Sequence, residues 1–140
     1  MRARILTLAV ACTCLLAPAA GADPAKPAAE AEVTGVVLDA RGLNYEPRMS
    51  PRFFDDSAHD LLEGIPFDPD KVLNDGLARW ARAYDPAQPN ARTGKNPLVI
   101  KPMRIEVGDR LVISGADAAK LKAANARDRI LERMRILIVY

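Results

Sequence analysis

An α+β domain, with two helices packed on one face of a mixed four- to five-stranded sheet, is the fold this 140-residue sequence predicts. Three observations carry that reading. Short runs of apolar and β-branched residues recur along residues 33–140. Two segments between them have helix-capping chemistry. The resulting order, β-β-α-β-β-α-β, contains no internal repeat.

Val33-Thr34-Gly35-Val36-Val37-Leu38 is nearly continuous in apolar and β-branched residues, which suits a strand covered on both faces. Pro51-Arg52-Phe53-Phe54-Asp55 is the second strand, and Pro47 and Pro51 stiffen the approach to it. The first helix starts at Asp68, an N-cap residue, with Pro69 at the first helical position. Leu73, Leu77, Trp80 and Tyr84 follow at spacings of four, three and four, which predicts one apolar stripe and a Trp80 buried against the sheet. Asp85-Pro86 ends that helix.

Residues 85–97 then read as a long loop. Leu98 to Val107 reads as a strand with Met103, Ile105 and Val107 on one face, and Pro102 places it at an edge or a bulge. Gly108-Asp109 is a two-residue hairpin turn into Leu111-Val112-Ile113. Ser114 and Asp117 have capping-box spacing and open a second helix to about Asn125, with a possible extension to Met134. Arg135 to Tyr140 closes the chain as a central strand.

The N-terminus has a different character. Met1-Arg2-Ala3-Arg4 is basic, Ile5 to Pro18 is apolar, and Ala20-Gly21-Ala22 is a small-x-small step. That is the layout of a secretory signal peptide over residues 1–22, too short to persist as a membrane span. A Pro/Ala-rich leader, expected to be disordered, follows over residues 23–32, and the folded domain spans 33–140. Ala9-Val10-Ala11-Cys12 offers a competing lipoprotein reading, but the leucine usual three positions before the cysteine is missing. The expected location is the periplasm.

Cleavage would remove both cysteines, Cys12 and Cys14, and with them any disulfide scaffold, thiolate metal site or cysteine nucleophile. Arg2 and Arg4 would leave as well, so 18 acidic residues would face an equal number of basic ones. That neutrality does not suit a nucleic-acid binder or a polybasic membrane anchor. No cofactor or metal is expected, because His59 is the single histidine.

His59 lies in Asp55-Asp56-Ser57-Ala58-His59-Asp60, which reads as a solvated turn rather than as a calcium loop or a Ser57–His59 dyad. Asp39 and Arg41, two residues apart, can orient a substrate or form an ion pair that fixes the loop leaving the first strand. Arg92-Thr93-Gly94-Lys95 lacks the spacing of a phosphate loop and reads as a mobile basic loop. Arg41, Tyr45, Arg48 and Arg52 lie in the proline-stiffened segment after the first strand. With Arg92 and Lys95 they form the candidate binding set, because guanidinium forks suit sugar acids, phosphates and carboxylates.

Four segments carry a resemblance: Thr34 to Leu43, Met49-Ser50-Pro51-Arg52, Asn96 to Lys101 and Leu111-Val112-Ile113-Ser114. The chain resembles a group of uncharacterised exported bacterial proteins near the small outer-membrane lipoproteins and the flagellar assembly proteins of the FlgP and FlgT type. It departs from them at Leu61-Leu62-Glu63-Gly64, where the relatives show a Gly followed by a short aromatic strand. The resemblance implies an envelope setting and carries over no established enzymology.

The leading expectation is a non-enzymatic envelope domain that binds an envelope component or a protein partner. A small hydrolase or lyase using Asp39, Arg41 and a carboxylate from Asp55–Asp60 is the first alternative, and would need a carboxylate of raised pKa. A structural subunit that adds strands edge to edge is the second. Mass spectrometry of periplasmic material should find a mature N-terminus near Asp23 without lipid. An acylated Cys12 would instead place the protein on a membrane surface.

Overall fold

The computed structural model describes residues 31–140; the expected signal peptide and residues 23–30 of the leader lie outside the described residues. In chain order the elements are β1 (Gly35–Asp39), β2 (Arg52–Asp55), α1 (Pro69–Asp75), β3 (Arg79–Ala81), β4 (Pro97–Ile100), β5 (Arg104–Glu106), β6 (Arg110–Ile113), α2 (Gly115–Asp128) and β7 (Ile136–Val139). The α+β class is as the sequence predicts.

The strands divide between a four-stranded sheet, ordered β3-β7-β1-β4, and a three-stranded sheet, ordered β2-β6-β5. Every pairing in the first is parallel. In the second, β2 and β6 are parallel and β5 and β6 antiparallel. β1 and β7 are the inner strands of the larger sheet and are buried on both faces, which is why both read as unbroken apolar runs.

Ladder partners share a face, so the register sorts the side chains. Trp80, Ile138, Leu38 and Ile100 form one row toward the main core. Arg79, Leu137, Val37 and Val99 form a row on the opposite face. There Val37, Leu137 and Val139 make a second, smaller cluster with Ala81 and Tyr84. The main core joins the two sheets through Phe53, Leu111 and Ile113 and takes Ala118, Leu121 and Ala124 from α2.

The capping predictions hold at both helix starts. The Asp68 carboxylate accepts from the N–H groups of Asp70 and Lys71 at 3.1 and 3.4 Å, and Ser114 Oγ accepts from Asp117 N at 3.1 Å. The first helix, however, does not reach Tyr84. It stops at Asp75, because Gly76 adopts φ 73° and its N–H closes on the Val72 carbonyl. The chain then enters β3, so Trp80 lies in a strand and is half-buried, while Leu73 is 83% exposed. With no buried residue, α1 contributes nothing to the core, and α2 is the helix that packs on it.

Two further boundaries move. The predicted strand from Leu98 to Val107 is divided at Lys101–Met103 into β4 and β5, which join different sheets. Pro102, without an N–H, sits at that division. α2 ends at Asp128 rather than continuing to Met134, because Arg129 is left-handed (φ 52°) and Asn125 Oδ1 takes the N–H of Leu131 at 2.8 Å. The hairpin between β5 and β6 forms, but Glu106 pairs with Arg110, so its loop has three residues, 107–109, rather than two; Gly108 and Asp109 both have positive φ, 85° and 58°.

The long loop is hydrogen-bonded within itself and to the residue before β1. Asn90 and Gly94 pair across a tight turn, with Gly94 N to Asn90 O at 2.7 Å and the return bond at 3.1 Å. Asn90 Oδ1 also accepts from Arg92 N at 2.8 Å. The turn lies so close to β1 that a Cβ on Gly35 would come within 2.7 Å of Thr93 Cα and 2.8 Å of its carbonyl oxygen. Gly35→Ala should therefore lower stability by about 1–3 kcal/mol. Urea unfolding should show a lower midpoint with an unchanged slope; an unchanged midpoint would mean that the turn yields freely.

Candidate functional site

The three-stranded sheet brings two arginines side by side. Arg52 opens β2 and Arg110 opens β6, and the parallel register makes them direct ladder partners. Like charges in that position repel. Both are exposed, and among the described residues neither forms an ion pair with a carboxylate. Arg110 instead places its guanidinium carbon 5.1 Å from the centre of the Phe54 ring. Both arginines line a cleft of about 680 Å³ with Phe54, His59, Glu63 and Phe67. Its size is that of a ligand pocket.

One wall of this cleft is the turn after β2. Asp55 organises it: its Oδ1 accepts from Ser57 N at 3.0 Å and His59 N at 2.9 Å. The His59 ring nitrogen Nδ1 lies 3.1 Å from Oδ2, and Lys122 Nζ lies 3.8 Å from the same oxygen. The His59 N–H holds the Asp55 carboxyl below the usual range, against the opposing effect of desolvation. The main chain folds back on the strand, with Leu61 N to Phe53 O at 2.8 Å, so the outer side of β2 is occupied. Among the described residues no group of three His, Cys, Asp or Glu side chains could hold a metal ion.

The other members of the candidate set are distributed differently. Arg41 grips Asp39 with two bonds of 2.7 Å, from Nε to Oδ1 and from Nη2 to Oδ2. The Arg41 side chain lowers the Asp39 pKa, and Asp39 raises that of Arg41. Arg48 is held by Asp109 at 2.5 Å, in the turn that leads directly to Arg110. Tyr45 is buried in the main core, and desolvation raises its hydroxyl pKa. Lys95 is exposed. Arg92 lines a different cleft, with Arg79 and Asn90.

Of the set, then, Arg52 lies on the larger cleft and Arg48 is tied to the hairpin beside its partner Arg110. Sequence reading missed Arg110 and Arg79. The hairpin signal at Gly108-Asp109 could have pointed to Arg110 as the first residue of β6. It could not have shown that the partner strand would run parallel and present Arg52.

The matched stretch that identifies the chain's relatives covers every strand and helix among the described residues. Residues 35–140 match the family described as Treponema pallidum Tp0624, second domain, and the chain belongs to that family. The match brings no link to flagellar assembly proteins. No curated protein matches the chain.

Asp55 makes the site's turn sensitive to acid. A carboxylate whose folded pKa is depressed stabilises the fold above its unfolded value, and that contribution fades as pH falls through the folded one. Thermal melts should therefore lose stability below the ordinary carboxylate range, and Asp55→Asn should flatten that acid limb while lowering stability at neutral pH. An unaltered acid limb in the variant would remove Asp55 from this role.

Proposed function

We propose that the protein is an exported, non-enzymatic domain of the cell envelope that binds an anionic envelope component or an acidic protein patch. The cleft carrying Arg52 and Arg110 is its binding surface. The observation that carries this reading is the ladder pairing of those two exposed arginines without a carboxylate partner. An anion seated between them would relieve their repulsion and meet two planar donor forks. Phe54 and Phe67 supply an apolar wall, while Arg48 is neutralised by Asp109 at the neighbouring turn, which leaves Arg52 and Arg110 as the cations of this cleft.

The carboxylates favour binding over acid–base chemistry. Asp39, Asp55, Asp117 and Asp128 are all shifted downward, each by a hydrogen bond from a neighbouring donor. A hydrolase or lyase built on Asp39 would need a carboxyl shifted upward to act as the acid. Asp39 is instead engaged at both oxygens by Arg41. Export is supported by the signal-peptide pattern of residues 1–22. A place beside the small outer-membrane lipoproteins and flagellar assembly proteins is supported by the segment resemblance alone. Among the described residues no helix is long and apolar enough to cross a membrane.

Replacing both Arg52 and Arg110 by Ala should leave thermal stability close to that of the parent, because surface changes are usually within about 0.5 kcal/mol. Sedimentation with isolated envelope fragments should weaken about tenfold in the double variant. The parent's binding should fall as salt rises from low to physiological concentration. Retained, salt-insensitive sedimentation of the double variant would sink the proposal.

A further inference from the structure

We propose that the second cleft, between the free edge of β3 and the Asn90–Arg92 turn, captures the carboxylate end of a short extended peptide. This site is separate from the Arg52–Arg110 cleft. It measures about 490 Å³ and is lined by Arg79, Trp80, Asn90, Arg92 and Leu137, among others.

The strand edge provides the first half of the site. β3 is the outermost strand of its sheet, bonded only to β7. The Ala81 carbonyl accepts from Tyr140 N at 3.1 Å, so Ala81 turns its backbone groups toward β7, and Arg79, two residues earlier, does the same. Alternation directs the N–H and C=O of Trp80 to the free edge. An extended peptide laid there can pair with both, as in strand addition to other sheet edges.

Charge provides the second half. Arg79 and Arg92 both line the cleft, and among the described residues neither forms an ion pair. Arg92 donates one bond from Nη2 to the Gly76 carbonyl at 2.5 Å, where it also meets the carbonyl end of α1. Its Nε is buried without a partner. Desolvation, followed by the nearby Arg79 charge, lowers its pKa, against the weaker opposite effect of Asp75. A buried guanidinium donor without an acceptor is unfavourable, and a carboxylate offers an acceptor to the same side chain.

The cation is also held in place. The Asn90–Gly94 turn presents Arg92 from a loop fixed to β1 by Thr34, so little ordering remains to be done on binding. The strand edge sets the direction of the peptide, and the arginines select its charged end over an internal segment.

The experiment is an NMR titration of the full chain with three probes: acetyl-trialanine as the free acid, the same peptide as its C-terminal amide, and sodium acetate. The free acid should shift the amides of Arg79–Ala81 and 90–92, slow exchange of the Trp80 N–H, and bind at least tenfold more tightly than the amide. Arg79→Gln, at an exposed position, should weaken the acid about tenfold. Arg52→Ala with Arg110→Ala should leave this titration unchanged, so the two clefts succeed or fail separately. Equal binding of acid and amide would overturn the proposal. So would the absence of shifts at β3, or acetate binding as tightly as the acid peptide, since that would leave an oxyanion site without strand pairing. If Arg79→Gln failed to fold, the three-probe comparison on the unaltered protein would still decide.

Discussion

One hydroxyl holds the larger sheet to the loop that crosses it. Thr34 Oγ1 donates to the Thr93 carbonyl at 2.6 Å and accepts from Asn96 N at 2.9 Å, while Thr34 N donates to the Asn96 carbonyl at 2.9 Å. These bonds join segments about sixty positions apart in sequence. They start the β1–β4 ladder, whose first partners are Gly35 and Pro97. They also press Thr93 onto Gly35 and Gly94 onto Thr34, contacts too close for a Cβ at either glycine. Gly94 has a second reason to be glycine, its φ of 79°. Everything downstream inherits this anchor: β4 is placed beside β1, and Arg92 is carried to the edge of β3.

The consequence is a sheet whose two faces have different roles. The face bearing Trp80, Ile138, Leu38 and Ile100 is committed to the core shared with the smaller sheet and α2. The other face carries a short apolar strip, Val37, Leu137 and Val139, and then Arg79 at its margin. Parallel strands are normally covered on both sides. Here the second cover includes Tyr84, with the Asn90–Gly94 turn set against Gly35 at the N-terminal end of β1. A thin cover over a parallel sheet leaves a cleft at the edge, as the Arg79–Arg92 cleft does.

What could be read from the sequence follows the range of each physical signal. Strand core, helix N-caps and the Gly108-Asp109 hairpin depend on residues within a few positions, and they were legible at Val36–Leu38, Asp68, Ser114 and Asp109. The spacing of Leu73, Leu77, Trp80 and Tyr84 also looks local, but it describes a helix only if nothing stops that helix. Gly76 stops it, and three residues later a β7 strand more than fifty positions away recruits Arg79–Ala81. A strand of three residues has no periodicity to detect; it exists because Leu137, Ile138 and Val139 lacked a partner on that side. The same limit applies to the site. Arg41 with Asp39 is a pairing two residues apart and was legible as such, whereas Arg52 beside Arg110 and Arg79 near Arg92 arise from parallel registers and loop placement.

A chain with nearly balanced charge nevertheless leaves arginines unpaired, and the reason lies in what its carboxylates do. Asp55, Asp60, Asp68 and Asp85 accept backbone N–H groups in turns or at a helix start. Asp56 accepts from Gly115 N and Asp128 from Val33 N, each fastening distant segments. Asp117 is engaged by Ser114 and Lys120. Much of the negative charge is thus engaged by main-chain donors, an arrangement suited to a fold with short strands and many turns. Guanidinium groups have no equivalent local use, since a side chain with only donors can meet main-chain carbonyls but cannot cap an N–H. Arg52, Arg79, Arg92 and Arg110 are left facing clefts. A small net charge therefore conceals a division in which many carboxylates serve the main chain while Arg52, Arg79, Arg92 and Arg110 remain without a carboxylate partner among the described residues.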